Sequence, residues 1–136
     1  MNDTIRQFVR DRAAMRCEYC RLSQLFHDLP FQIEHIIARK HKGDDDAANL
    51  ALSCYNCNAY KGSNIAGIDP QTQQLTRLFH PRRDCWAEHF SWVGPELVGL
   101  TDVGRTTVEV LRVNQEESIA LRRLLIALGE DLGGEA

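Results

Sequence analysis

Four of the five cysteines in this chain stand as two matched pairs, Cys17-Glu18-Tyr19-Cys20 and Cys54-Tyr55-Asn56-Cys57. A two-residue gap lets both thiolates of a pair face one point, and two such knuckles complete a tetrahedron around Zn2+. Four sulfurs leave no open coordination position, so the zinc is expected to be structural, a staple for a small domain rather than a reaction centre. Buried free thiols and a redox C-x-x-C are the alternatives, and redox chemistry needs one pair rather than two. The interval between the pairs, residues 21–53, is longer than in compact zinc ribbons and must hold structure of its own. Cys85 matches neither pair and reads as a small buried residue.

Composition narrows the class further. With 136 residues, 43% hydrophobic and 26% charged, the chain suits one globular domain. No apolar run approaches the length of a bilayer crossing, and Met1 to Phe8 is polar and mixed in charge. A cytoplasmic, reducing address without a membrane partner is therefore expected, which disfavours a disulfide framework. The net charge of −3 counts against a nucleic-acid partner, because phosphate binding relies on Lys and Arg. The distribution softens that objection: Arg6, Arg10, Arg12, Arg16 and Arg21 form one cluster, Arg39, Lys40 and Lys42 a second, and Arg77, Arg82 and Arg83 a third. The acids concentrate toward the end, from Glu109 to Glu135. A domain acidic overall can still present a basic face.

Periodicity predicts a short helix over 4–15, capped by Asp3 or Thr4, with Ile5, Phe8 and Val9 on one face. Residues 31–37 alternate as a strand, with Phe31, Ile33 and His35 on one face and Gln32, Glu34 and Ile36 on the other. Residues 38–48 read as a polar loop through Gly43-Asp44-Asp45-Asp46, and Asn49 to Ser53 as a second strand. The second knuckle runs on into a helix that Gly62 or Gly67 would end. Beyond Pro70 the signals weaken, although 95–107 reads as a strand or two with turns. The last element is a helix, with Asn114 and Glu117 as a capping box and an apolar stripe of Leu121, Leu124, Leu125, Leu128 and Leu132 that is expected to close the core.

Glu34-His35 on a strand, Asn49 after a loop, and Asn58 directly after the last paired cysteine give the pattern E-H … N-L-x-x-x-C-x-x-C-N-x-x-K-G. From Cys17 to Gly62 this closely resembles the HNH endonucleases that carry a zinc knot, and the segment Ser53 to Ser63 is similar to their stand-alone bacterial type. The resemblance implies an α+β fold: a ββα-metal finger stapled by a four-cysteine zinc site, with flanking helices. A single domain over 1–136 is expected, its catalytic and zinc core at about 14–68 and a C-terminal elaboration at 69–136.

The same resemblance implies roles. His35 matches the general base, since an imidazole titrates near neutrality. Glu34 stands where the family usually has Asp or His as a metal ligand, and a carboxylate suits Mg2+ or Mn2+. Asn49 matches the central Asn that braces the loop and orients the base. Asn58 matches the last motif position, often His, and its amide oxygen suits a hard cation better than zinc. Lys61, Arg39 and Arg82 are candidate nucleic-acid contacts, although Arg82 and Arg83 could instead pair with Asp84 and Glu88. His80 reads as a loop residue before Pro81. The function implied is hydrolysis of phosphodiester bonds in DNA by a His-activated water and one divalent metal ion. Its rivals are a non-catalytic zinc-stapled nucleic-acid-binding module and an interaction domain using the leucine stripe. Monomer and homodimer both stay open.

Overall fold

The computed structural model of the protein describes residues 1–134; Glu135, counted above among the C-terminal acids, lies outside the described residues. The fold is α+β. In chain order the elements are α1 (Asp3–Arg12), β1 (Gln32–His35), β2 (Leu50–Ser53), α2 (Tyr55–Lys61), β3 (Ala66–Ile68), β4 (Leu75–Arg77), α3 (Trp86–His89), β5 (Phe90–Val93), β6 (Glu96–Gly99), α4 (Asp102–Val110) and α5 (Glu116–Ala127). The six strands pair as three antiparallel hairpins, β1 with β2, β3 with β4 and β5 with β6. Two-stranded ribbons are marginal alone, so each leans on helices or on the cysteine knuckles.

The first hairpin is the centre of the molecule. Gln32 pairs with Ser53 and His35 with Leu50. Every residue of β2 is buried, and Leu50 and Leu52 join Val9, Phe31, Phe79 and Phe90 in one core. The first knuckle is tied to β2 twice over: the Glu18 amide donates to the Leu52 carbonyl at 2.9 Å, and the Glu18 carboxylate accepts from the Leu52 amide at 2.8 Å. Arg12, at the end of α1, donates to the carbonyls of Ala47 and Leu50 at 3.0 and 2.7 Å. These bonds occupy backbone groups that a two-stranded ribbon would leave open.

Several expectations need correction. The cap of α1 is Asn2, whose side chain accepts from the Ile5 amide at 2.9 Å, and Phe8 is exposed. Residues 95–107 hold only β6; α4 begins at Asp102, capped by the Thr101 hydroxyl on the Gly104 amide at 3.0 Å. The β-branched content of Thr106-Thr107-Val108 suggests a strand, but packing on β6 and β3 makes it a helix, with Thr106 and Thr107 buried. Gly99 and Gly104 permit that packing, because a Cβ on Gly99 would lie 2.2 Å from the Arg105 amide nitrogen. Asn114 does not cap α5; it pairs across to β6, accepting from the Leu97 amide at 2.9 Å and donating to its carbonyl at 2.8 Å. The leucine stripe closes the core only at Leu125. Leu124 and Leu128 remain 56% and 67% exposed. Among the described residues no helix is long and apolar enough to cross a membrane.

Candidate active site

The four paired cysteines converge. All are buried, and their sulfurs lie within 4.8 Å of one another. Tetrahedral Zn–S bonds near 2.3 Å require sulfur–sulfur edges of about 3.8 Å, and Cys20 Sγ lies 3.7 Å from Cys54 Sγ. The donor set, its burial and its spacing therefore fit zinc. Cys54 caps α2, its sulfur accepting from the Cys57 amide at 3.4 Å, and a helix N-terminus favours the thiolate form that a metal needs. The Trp86 indole donates to the Tyr19 carbonyl at 2.8 Å, pinning the first knuckle from below.

His35 lies at the other end of the hairpin from Cys54. There β1, the turn after it and α2 border an open cleft lined by Glu34, His35, Arg39, Asn58, Gly62 and Ser63. Glu34, His35 and Asn58 thus share one cleft, whereas Asn49 does not line it. The loop that returns from β1 to β2 is closed by Asn49, which accepts from the Ile37 amide at 2.9 Å and donates to the carbonyls of Ile37 and Asp44 at 3.0 and 2.9 Å. Gly43 makes this closure possible, since a Cβ there would fall 1.7 Å from the Ile37 carbonyl oxygen and 2.9 Å from Asn49 Nδ2.

Three expected roles change. Lys61, expected as a phosphate contact, is withdrawn from solvent. It is 2% exposed, and its ammonium lies 2.9 Å from the Glu34 carboxylate and donates to the carbonyls of Ile36 and His35 at 3.0 and 3.3 Å. Glu34 is accordingly not a free ligand facing solvent: one oxygen accepts from Lys61 and the other from the buried Tyr19 hydroxyl. Burial pushes the Glu34 carboxyl above its ordinary range, with Lys61 opposing the shift. Burial and then the Glu34 charge push the Tyr19 hydroxyl far up, so it stays a donor. Arg82 pairs with neither Asp84 nor Glu88 and is not free for phosphate; it pairs with the buried Glu18 of the first knuckle, while Arg77 takes Asp84 at 2.7 Å. His80 is a turn residue, its ring accepting from the Arg82 amide at 3.2 Å. Cys85 is half-buried.

Two residues that bond to the cleft's lining were missed by sequence reasoning. Tyr19, inside the first knuckle, reaches Glu34. Asp45 lies 2.7 Å from His35 Nε2 and 2.8 Å from the Arg39 guanidinium. It sits in a run of three aspartates, and nothing in the sequence distinguishes the middle one. Arg39 itself is exposed on the rim.

Residues 17–64 match the family model for the HNH endonuclease, a match that spans the cysteine knuckles, the hairpin and α2. The chain is also similar to the Septu protein PtuB of Bacillus thuringiensis, with 26% identity over 113 residues. That match covers 82% of this chain and 41% of the relative, so the chain spans less than half the relative's length. No solved structure gives a significant match.

Proposed function

We propose, from the HNH-family match at residues 17–64 as premise, that this protein is a metal-dependent nuclease that hydrolyses phosphodiester bonds in DNA. The observation that carries the reading is the meeting of His35, Glu34 and Asn58 in one open cleft, at the end of the hairpin away from the four cysteines.

The donor set fits a hard divalent cation such as Mg2+ or Mn2+. Such ions are often held by one or two protein ligands, with water and substrate phosphate completing the shell. A carboxylate offers about four lone-pair sites, so Glu34 retains acceptor capacity beyond Tyr19 and Lys61. Asn58 supplies a neutral oxygen from α2, and its side chain makes no hydrogen bond among the described residues. Lys61 keeps two carbonyl partners if an ion draws on the Glu34 oxygen. When bound, the cation supplies electrostatic stabilisation of the leaving 3′ oxygen and of the extra negative charge on phosphorus.

The chain's own residues do the rest. His35 accepts a proton from a water molecule, whose oxygen bonds to phosphorus. The P–O3′ bond breaks, the 5′ side keeps the phosphate, and the 3′ oxygen takes a proton from solvent. Asn49 holds the loop that borders the cleft. Arg39, with Lys40 and Lys42 exposed beside it, supplies positive charge for the backbone of the substrate. We further propose a cytoplasmic setting, with monomer or homodimer open, and a structural Zn2+ in the four-cysteine site.

The test is incubation of the zinc-loaded protein with single- and double-stranded DNA and RNA in Mg2+ or Mn2+. Cleavage of DNA, absent from the zinc-loaded protein when Mg2+ and Mn2+ are withheld and yielding 5′-phosphate ends, supports the reading. A non-catalytic nucleic-acid-binding module is the second reading, favoured by one observation: Lys61 already neutralises the carboxylate on which an ion would rely. DNA binding without cleavage in either metal would select it.

A further inference from the structure

We infer that Asp45 is a positioning residue for His35, an inference that rests on the nuclease reading above. The loop between β1 and β2 places Asp45 ten residues after His35, with its Oδ1 2.7 Å from His35 Nε2. The position is built rather than incidental. Gly43 lets the loop fold against Ile37, Asn49 ties it at Ile37 and Asp44, and Asp46 caps the following turn by accepting from the Ala48 amide at 2.9 Å. Arg39 holds the same Asp45 oxygen at 2.8 Å, so that oxygen is drawn toward a cation as well as toward the imidazole. The His35 contact and then Arg39 hold the Asp45 carboxyl below its ordinary range.

A carboxylate accepts and does not donate, so a neutral His35 beside it carries its proton on Nε2. The lone pair is then on Nδ1, which has no hydrogen-bond partner among the described residues. This is the arrangement in which a base is oriented by a third group. Other charged groups near the imidazole are Glu34 on the same strand and Lys61, whose ammonium binds the His35 carbonyl rather than the ring. Asp45 is the one whose carboxylate meets the ring directly.

Single-turnover cleavage is measured for wild type, Asp45→Ala, Asp45→Asn, His35→Ala and the His35→Ala/Asp45→Ala double variant. Asp45→Ala is expected to lose about 10–100-fold in the cleavage step, the range found for outer-shell partners that orient metal-ligating histidines, with little change in DNA affinity. Asp45→Asn, whose amide oxygen still accepts from Nε2–H, should retain more activity than Asp45→Ala. In the His35→Ala background the Asp45 change should cost nothing further, because residues acting as a unit are not additive. Wild-type or raised activity in Asp45→Ala overturns the inference and makes the contact a latch. A full additional loss in the double variant also overturns it.

A second readout does not depend on cleavage. Ring 15N spectra of His35 in alkaline solution should report the Nε2–H form in wild type and a mixture of tautomers in Asp45→Ala; identical spectra contradict the contact. If the wild type cuts no nucleic acid, the nuclease reading fails while the spectra still decide whether Asp45 sets the ring.

Discussion

Glu34 and Lys61 form a buried ion pair, with Nζ and Oε2 2.9 Å apart and both side chains at most 5% exposed. The pair joins β1 to α2 directly behind the cleft, and Tyr19 extends it to the first zinc knuckle. Breaking such a pair from one side leaves a buried charge without a partner, a loss of about 3–5 kcal/mol. Lys61→Met should therefore lower the melting temperature by roughly 10 °C or more. Glu34→Gln/Lys61→Met should be more stable than Lys61→Met alone. A Lys61→Met protein with unchanged melting and only weaker DNA binding would restore the phosphate-contact role.

Zinc removal should unfold the centre of the molecule. The knuckles carry the Leu52 hydrogen bonds, the cap of α2 and, through Tyr19, the Glu34 position. Treatment with a strong chelator, or Cys54→Ser, is expected to reduce helical circular dichroism and the near-ultraviolet signal together, with zinc content and fold lost in parallel. A native spectrum in protein shown to be metal-free would contradict the staple.

Gly43→Ala should separate loop from core. The added Cβ has to displace the Ile37 carbonyl or the Asn49 amide, so the loop carrying Arg39 and Asp45 must move. Zinc content should stay at the wild-type level while the cleavage rate falls by about tenfold or more. Unchanged cleavage would show that the loop's position does not matter to the reaction.

Arg105 on α4 grips the buried Asp69 with two bonds, Nε to Oδ1 at 3.0 Å and an Nη to Oδ2 at 2.8 Å. Chiefly through this contact, the Asp69 carboxyl is held well below its ordinary value of 3.8. A depressed folded pKa contributes stability that is complete above the unfolded value and is lost as pH falls below it toward the folded one. The melting-temperature gap between wild type and Asp69→Asn should thus be widest above about pH 4 and close on further acidification. Comparing the two proteins isolates Asp69 from the acid loss of zinc that both share. A gap constant with pH would contradict the assignment.

How much of this was legible in the sequence depended on the range of the interaction. The cysteine pairs, β1, β2 and α2 rest on local spacing and alternation; β1 and β2 stand where the pattern places them, with boundaries shortened by two or three residues at α1 and β1, while α2 begins within the second knuckle at Tyr55 rather than after it. The meeting of His35 with Asn58 followed from the motif. The roles of Lys61 and Arg82 did not, because a lysine or arginine after a motif looks alike whether it meets phosphate or a buried carboxylate; Glu34 and Glu18 decide it, from positions 27 and 64 residues away. The start of α4 falls inside 95–107, which reads as a strand or two with turns; the packing on β6 that makes it a helix is a tertiary fact. The stripe on α5 has helical spacing, yet only Leu125 meets the core, and Arg122 fills the neighbouring position by donating to Pro95 and Val113 carbonyls.

The most direct measurement is plasmid cleavage in Mg2+ or Mn2+ by wild type and His35→Ala, both zinc-loaded and equally folded. His35 is exposed enough to be truncated without opening the core, so the variant isolates chemistry from stability. The account predicts conversion of supercoiled to nicked or linear DNA by the wild type, slowed about 10²–10⁴-fold in His35→Ala, with DNA binding retained. Equal cleavage by the two proteins would contradict it.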